Sequence, residues 1–247
     1  MSDEAMIHEV IREHYAAAAQ SGGCGCQDCC GDLTTSERWI DYADQGVEIL
    51  KESDLGLGCG IPTLFAEINQ GETVLDLGSG AGIDVFLAAK KTGDGGFAIG
   101  IDMTPEMVSK ATEIAKKAGV RNVDFRLGYL EDLPVEDASI DLALSNCVIN
   151  LVPDKPKVFA ELFRVLRPGG RFVISDTVAF GPMPEAVRKD LAMWAGCISG
   201  ASDKDEYLEM IRSAGFSDLT IHALQEYDFQ RGEDYGLASI TVGAKKP

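Results

Sequence analysis

Apolar positions along the chain fall into two regimes, and the change comes near Thr73. Before it the pattern is broken. Ile7, Val10, Ile11 and Tyr15 share one face of a short helix over residues 1–20. "SGGCGCQDCCGD" follows with no periodicity and reads as irregular. "TTSERWIDYADQGVEILKESD" suits a helix, and "LGLGCGIPTLFAEIN" a glycine loop leading into a short helix.

After Thr73, short apolar runs alternate with amphipathic stretches. "TVLDLG", "FAIGID", "VDFRLGY", "IDLALSNCVI" and "RFVISDTVA" read as strands. "IDVFLAAKKTG", "TPEMVSKATEIAKKAG" and "DKPKVFAELFRVLRPGG" read as helices between them, the second with Pro105 at its start and Gly119 at its end. The alternation predicts right-handed βαβ units, hence an α/β fold with a mostly parallel sheet and helices on both faces. The tail adds expected helices at "MPEAVRKDLAMWAGCI" and "DKDEYLEMIRSAG", then two strand-like segments, "LTIHALQEYDF" and "GLASITVGAK".

Composition narrows the class. At 247 residues, with 45% hydrophobic and 25% charged residues, the chain is of ordinary globular make-up. No apolar run spans a membrane, and the acidic start lacks the basic region of a signal peptide, so a cytoplasmic setting is expected. A net charge of −18 disfavours nucleic acid and anionic membranes as partners. Seven cysteines without a secretion signal are expected as reduced thiols.

The chemistry starts in "VLDLGSGAG". A glycine turn after a buried strand lets backbone approach a ligand at the strand's carboxyl end. Gly78, Gly80 and Gly82 stand one residue tighter than a dinucleotide fingerprint, and Asp76 just before them would repel a pyrophosphate. An acid there suits a cationic, phosphate-free ligand. Asp102, ending the next strand, has the spacing of a ribose-binding acid.

These residues resemble the D-x-G-x-G signature of S-adenosylmethionine (SAM)-dependent methyltransferases, and "LGYLEDLP" and "LRPGG" are similar to further segments of that family. The resemblance implies a Rossmann-like methyltransferase fold. It implies a SAM site formed by Asp76, Gly78, Ser79, Gly80, Asp102, Met103, Leu130, Glu131 and Asn146, with Glu131 meeting the adenine amino group. It also divides the chain: a cysteine-rich arm and helical cap over 1–60, the SAM-binding core over 61–180, and substrate-binding helices with closing strands over 181–247.

Three cysteines have unusual settings. Cys59 lies between glycines in "LGLGCGIP", an arrangement expected to leave its thiol free to swing. Cys147 ends an apolar run in "SNCVINLVPDK", and Cys197 lies among small residues in "WAGCISGA". Any one alone reads as packing. Together these motifs resemble the prokaryotic arsenite methyltransferases. The resemblance implies that Cys59, Cys147 and Cys197 hold arsenite or methylarsenite as thiol adducts beside SAM, which suits a soft, thiophilic element. The arsenic lone pair would then attack the sulfonium methyl, and a thiol reductant of the glutathione or thioredoxin kind would restore trivalent arsenic.

Alternatives stay open: another small-molecule or metalloid acceptor, or a thiol module that sequesters metal through "CGCQDCC". That arm, with Cys24, Cys26, Cys29 and Cys30, reads equally as a redox or capture element and as a disordered tail. His8, His14 and His222 lack ligand spacing and read as surface or packing, as do Trp39 and Trp194. Tyr15 and Tyr42 match positions near the family's site, yet core packing is the plainer reading. Leu57-Gly58 replace an aromatic of animal and algal relatives, so no aromatic wall is expected from that spot.

Overall fold

A computed structural model of the chain describes residues 3–22, Tyr42, 50–227 and 235–247. Helix α1 (Asp3–Ser21) comes first, and its Ala18 and Ala19 share one apolar cluster with Phe86, Met107 and Ile114 of the βα succession that follows. Then come β1 (Thr73–Leu77), α2 (Ile83–Thr92), β2 (Phe97–Asp102), α3 (Pro105–Ala118) and β3 (Val123–Leu127). The second half holds β4 (Ile140–Asn146), α4 (Lys155–Val165) and β5 (Leu166–Phe180). The tail contributes α5 (Glu185–Arg188), α6 (Leu191–Ala195), α7 (Lys204–Ser213), β6 (Ser217–Glu226) and β7 (Gly236–Lys245).

The seven strands form one sheet in the order β3-β2-β1-β4-β5-β7-β6. The first five run parallel, and β7 lies antiparallel between β5 and β6. The expected α/β class with a mostly parallel sheet is what forms. Strand order reverses between β1 and β4, so a crevice opens beyond their carboxyl ends, where ligands of such sheets bind. Leu75, Leu77, Leu142 and Leu144 on these central strands are fully buried, which ties the base of the crevice into the core.

Three sequence expectations shift. Helix α4 stops at Val165, and "LRPGG" already belongs to β5. Pro168 has no N–H to continue a helix, and Gly169 turns at a φ of 78°. The tail helix "MPEAVRKDLAMWAGCI" is split into α5 and α6, because Asp190 restarts it by accepting the N–H groups of Ala192 and Met193. Strand β4 ends at Asn146, and Cys147 turns away from it at a φ of 60°. The helix expected over "TTSERWIDYADQGVEILKESD", Trp39, and the arm with Cys24, Cys26, Cys29 and Cys30 lie outside the described residues, Tyr42 and the turn at Lys51–Ser53 excepted. Among the described residues no helix is long and apolar enough to cross a membrane.

Candidate functional site

A cavity of about 800 Å³, counted to its open mouth, fills the crevice between β1 and β4. Its floor is the turn Gly78–Gly82, in which Gly78, Gly80 and Gly82 all take positive φ. A side chain added at Gly78 would strike Val148, and one at Gly82 would strike Phe125 and Phe86. At Gly80 an added Cβ meets nothing within 4 Å, so that position faces open cavity. The turn carries Asp76, Ser79 and Asp84 to the lining, where Asp102, Met103 and Asn146 join them.

The electrostatics are one-sided. Asp76, Asp84 and Asp102 all face this space. Burial pushes the Asp84 carboxyl up to about 6, against the hydrogen bonds that it accepts from Tyr42 (2.8 Å) and Asn146 (3.4 Å). Burial and the neighbouring Asp84 and Asp102 raise Asp76 well above the carboxylate range. Burial also raises Asp102, less so because its two oxygens accept the N–H groups of Gly80 and Thr104, each at 2.9 Å. Among the described residues, Asp84 Oδ1 and Ser79 Oγ are buried with no hydrogen-bond partner. Clustered acids and orphaned polar atoms in an apolar cleft fit a cationic nucleoside such as SAM.

Not every expected cofactor residue reaches this cavity. Leu130 is buried in the main core beside Leu133 and Val135. Glu131 lies outside the lining and accepts a hydrogen bond from His8 of α1 at 3.1 Å, while the His8 ring stacks beside Tyr129. His8 is thus a partner of the expected adenine acid rather than a bystander.

Asn146, which lines the cavity, also holds the Cys59 loop. Its Oδ1 accepts the N–H groups of Cys59 (3.1 Å) and Gly60 (3.2 Å), and its Nδ2 donates to Gly60 O (2.7 Å) and Tyr42 Oη (2.9 Å). Ser239 Oγ donates to Cys59 O at 2.6 Å. The Cys59 loop is therefore clamped. Its glycines serve close approach and not freedom: a side chain at Gly58 would strike Asn146, and one at Gly60 would strike Ser175.

Of the three thiols Cys147 lines the cavity, and Cys59 and Cys197 lie beside it. Cys147, 6% exposed, interacts with the thiols of both Cys59 and Cys197, and its Sγ lies 3.5 Å from Thr177 Oγ1. Cys197 Sγ lies 3.5 Å from Cys147 O and 3.8 Å from Tyr15 Oη. Among the described residues no three His, Cys, Asp or Glu side chains form a ready-made metal cage, so the thiols are neighbours rather than a preformed tripod. Both Cys147 and Cys197 take left-handed φ, 60° and 62°. Such backbone costs a non-glycine residue of order 1–3 kcal/mol and is often held at functional sites. Cys197 takes it just after Gly196, the residue capping α6, with its own N–H donating to Trp194 O at 3.0 Å, and Trp194 of that helix donates Nε1–H to Leu151 O at 2.8 Å, just beyond Cys147.

All three thiols stay protonated near neutrality. Burial raises Cys59. The Cys197 hydrogen bond lowers Cys147, but the Cys59 hydrogen bond, burial and Asp176 outweigh it. The Cys147 hydrogen bond and burial raise Cys197. Tyr15 and Tyr42, expected as packing, both line the cavity, one hydroxyl on Cys197 and the other on Asp84. In the sequence Asp84 gives no signal, because an acid opening a helix reads as an ordinary first-turn residue.

The family described as "Methyltransferase domain" matches residues 68–215. The arsenite methyltransferase of Halobacterium salinarum is 44% identical over 99% of this chain and 68% of its own length. That of Aquipseudomonas alcaligenes is 34% identical over 86% of this chain and 62% of its own length. Among solved structures, an arsenic (III) S-adenosylmethionine methyltransferase from Chlamydomonas reinhardtii superposes with a TM-score of 0.68 at 31% identity, covering 92% of this chain and 72% of that one.

Proposed function

The chain belongs to the arsenite methyltransferase family, SAM-dependent enzymes, and we propose that it methylates trivalent arsenic held by Cys59, Cys147 and Cys197. The observation that supports the assignment is the proximity of these three thiols, from three separate segments, around Cys147, which lines the same cavity as Asp76, Asp84 and Asp102.

The protonation states suit capture. Arsenite carries three hydroxyls, and each buried thiol brings the proton that leaves with one of them as water. Three As–S bonds form with no net proton released and no general base. Cys147 is the fixed ligand at the strand end, and the two others close on it. SAM supplies, when bound, an electrophilic methyl on a sulfonium centre. The residues present fit it: Asp76 and Asp84 neutralise its positive charge, Asp102 meets hydroxyls, and Gly80 leaves room. Three sulfurs leave one lone pair on arsenic, so positioning and exclusion of water do most of the work. The reaction formally oxidises arsenic by two electrons, and a cytoplasmic thiol reductant supplies them back for the next round.

Two expected outcomes follow from the clamp and the acids. Asn146→Ala frees the Cys59 loop, so methylation of arsenite should slow by about tenfold or more. Methylarsenite, which needs only two thiols because carbon holds the third position, should be affected less. Comparing initial rates on the two substrates checks this, and equal losses would speak against it.

The second outcome concerns pH. With its carboxyl at about 6, Asp84 binds a proton in the free folded protein that the unfolded chain has already released at pH 5. This acid's contribution to stability therefore falls as pH rises from about 4 through 6. A sulfonium ligand favours the ionised form, so SAM affinity should be about tenfold weaker at pH 5 than at pH 7.5. Calorimetry at the two values reads this directly, and a flat profile contradicts it.

The experiment that tests the assignment as a whole is incubation with methyl-labelled SAM and arsenite under a thiol reductant. Labelled methylarsenicals are expected, and label on another acceptor alone would overturn it.

A further inference from the structure

Behind the three thiols lies a carboxylate with no place in the chemistry described so far. Asp176 on β5 is fully buried. Its Oδ1 accepts from Asn150 Nδ2 at 2.6 Å and from the Thr177 N–H at 3.0 Å, and its Oδ2 accepts from Tyr207 Oη at 2.9 Å. The same Asn150 Nδ2 lies 3.7 Å from Cys147 Sγ, so one amide bridges the carboxylate and the central thiol. The charge of Asp176 is felt at Cys59, Cys147 and Cys197 alike, and Lys155, buried and donating to Val152 O at 3.0 Å, opposes it.

For capturing arsenic this charge contributes little, because the thiols react as neutral groups and the arsenic they hold is neutral. Its sense appears one step later. When the arsenic lone pair forms the As–C bond, the S–CH₃ bonding pair stays on sulfur, which becomes a neutral thioether. The positive charge passes from sulfonium to arsenic, now bonded to three sulfurs and a methyl. At the outset that charge lies towards Asp76, Asp84 and Asp102; afterwards it lies among the thiols.

We propose that Asp176 is a positioning residue whose fixed negative charge stabilises the cation that develops on arsenic during methyl transfer. The proposal rests on the three-thiol reading given above. Tyr207, Asn150 and the Thr177 amide hold the carboxylate in place before charge arrives, so its field acts without reorganisation. Because neutral bound arsenic gains little from the field and the cation gains much, the effect falls on the rate and not on binding.

The test is Asp176→Asn, which keeps the shape and can keep the contacts with Asn150 and Thr177. Arsenite affinity, read without SAM from the As–S absorption band, should be unchanged or tighter. Single-turnover methyl transfer at pH 8.5 should fall about 30- to 100-fold. A merely structural residue would lower both together, and that result, or a transfer rate within threefold of the parent, overturns the proposal. Lys155→Met supplies the opposite sign and decides the matter if the first variant does not fold. Without the counter-cation, single-turnover transfer at pH 7, where Lys155 is still charged in the parent, should be maintained or faster with arsenite affinity unchanged, and parallel losses overturn the proposal. If the parent itself shows no As–S band, the three-thiol reading fails first and takes this inference with it.

Discussion

Cys147→Ser is expected to abolish methylation of both arsenite and methylarsenite, by at least about a hundredfold in each case. Cys147 is the thiol that interacts with both of the others, and its main chain is fixed by the bond from its N–H to Ser175 O at 2.8 Å. An oxygen in its place is a hard ligand for a soft element and exchanges with water. Neither a three-coordinate nor a two-coordinate arsenic site then remains. Cys197→Ser should behave alike. Cys59→Ser should lose the first methylation and keep much of the second, because methylarsenite needs only two thiols. Rates of all three variants on the two substrates, with SAM affinity measured alongside, check this. SAM binding should be unchanged in each. A Cys147→Ser protein that methylates methylarsenite at the parent rate would make the thiol a packing residue.

Gly80→Val is expected to remove SAM binding, with affinity reduced below calorimetric detection. The backbone there has a φ of 52°, its N–H is held by Asp102, and a Cβ would project into open cavity. The valine therefore occupies ligand volume, and it also strains the left-handed backbone. Arsenite binding should survive, since no thiol touches this turn. Unchanged SAM affinity would show that the cavity is not the cofactor site.

The two variants fail in complementary ways because the site has two halves, one for charge and one for thiols. Both halves were legible in part from sequence. Asp76, Gly80 and Asp102 stand out because a strand, a glycine turn and a second strand's terminal acid are local patterns. Cys59, Cys147 and Cys197 stand out through their motifs, although nothing local says that segments nearly 140 residues apart meet.

What sequence hides is who holds whom. A tyrosine in an amphipathic or irregular segment reads as packing until its hydroxyl's partner is known, as with Tyr15 on Cys197 and Tyr42 on Asp84. Glycines around Cys59 suggest freedom, and only the approach of Asn146 and Ser175 shows that they permit a clamp. Asp176 sits in "SDT" inside strand β5, a setting with no pattern, and gains meaning only from the thiols in front of it. Helix ends were missed where a side chain decides them, as Asp190 does between α5 and α6.

The most direct test of the three-thiol site is X-ray absorption at the arsenic edge. The protein should have Cys24, Cys26, Cys29 and Cys30 changed to serine, so that only Cys59, Cys147 and Cys197 remain as thiols. Loaded with arsenite, it should show arsenic with three sulfur neighbours and no oxygen; loaded with methylarsenite, two sulfurs and one carbon. Arsenic that keeps oxygen neighbours in the first case, or fails to bind, would contradict the account.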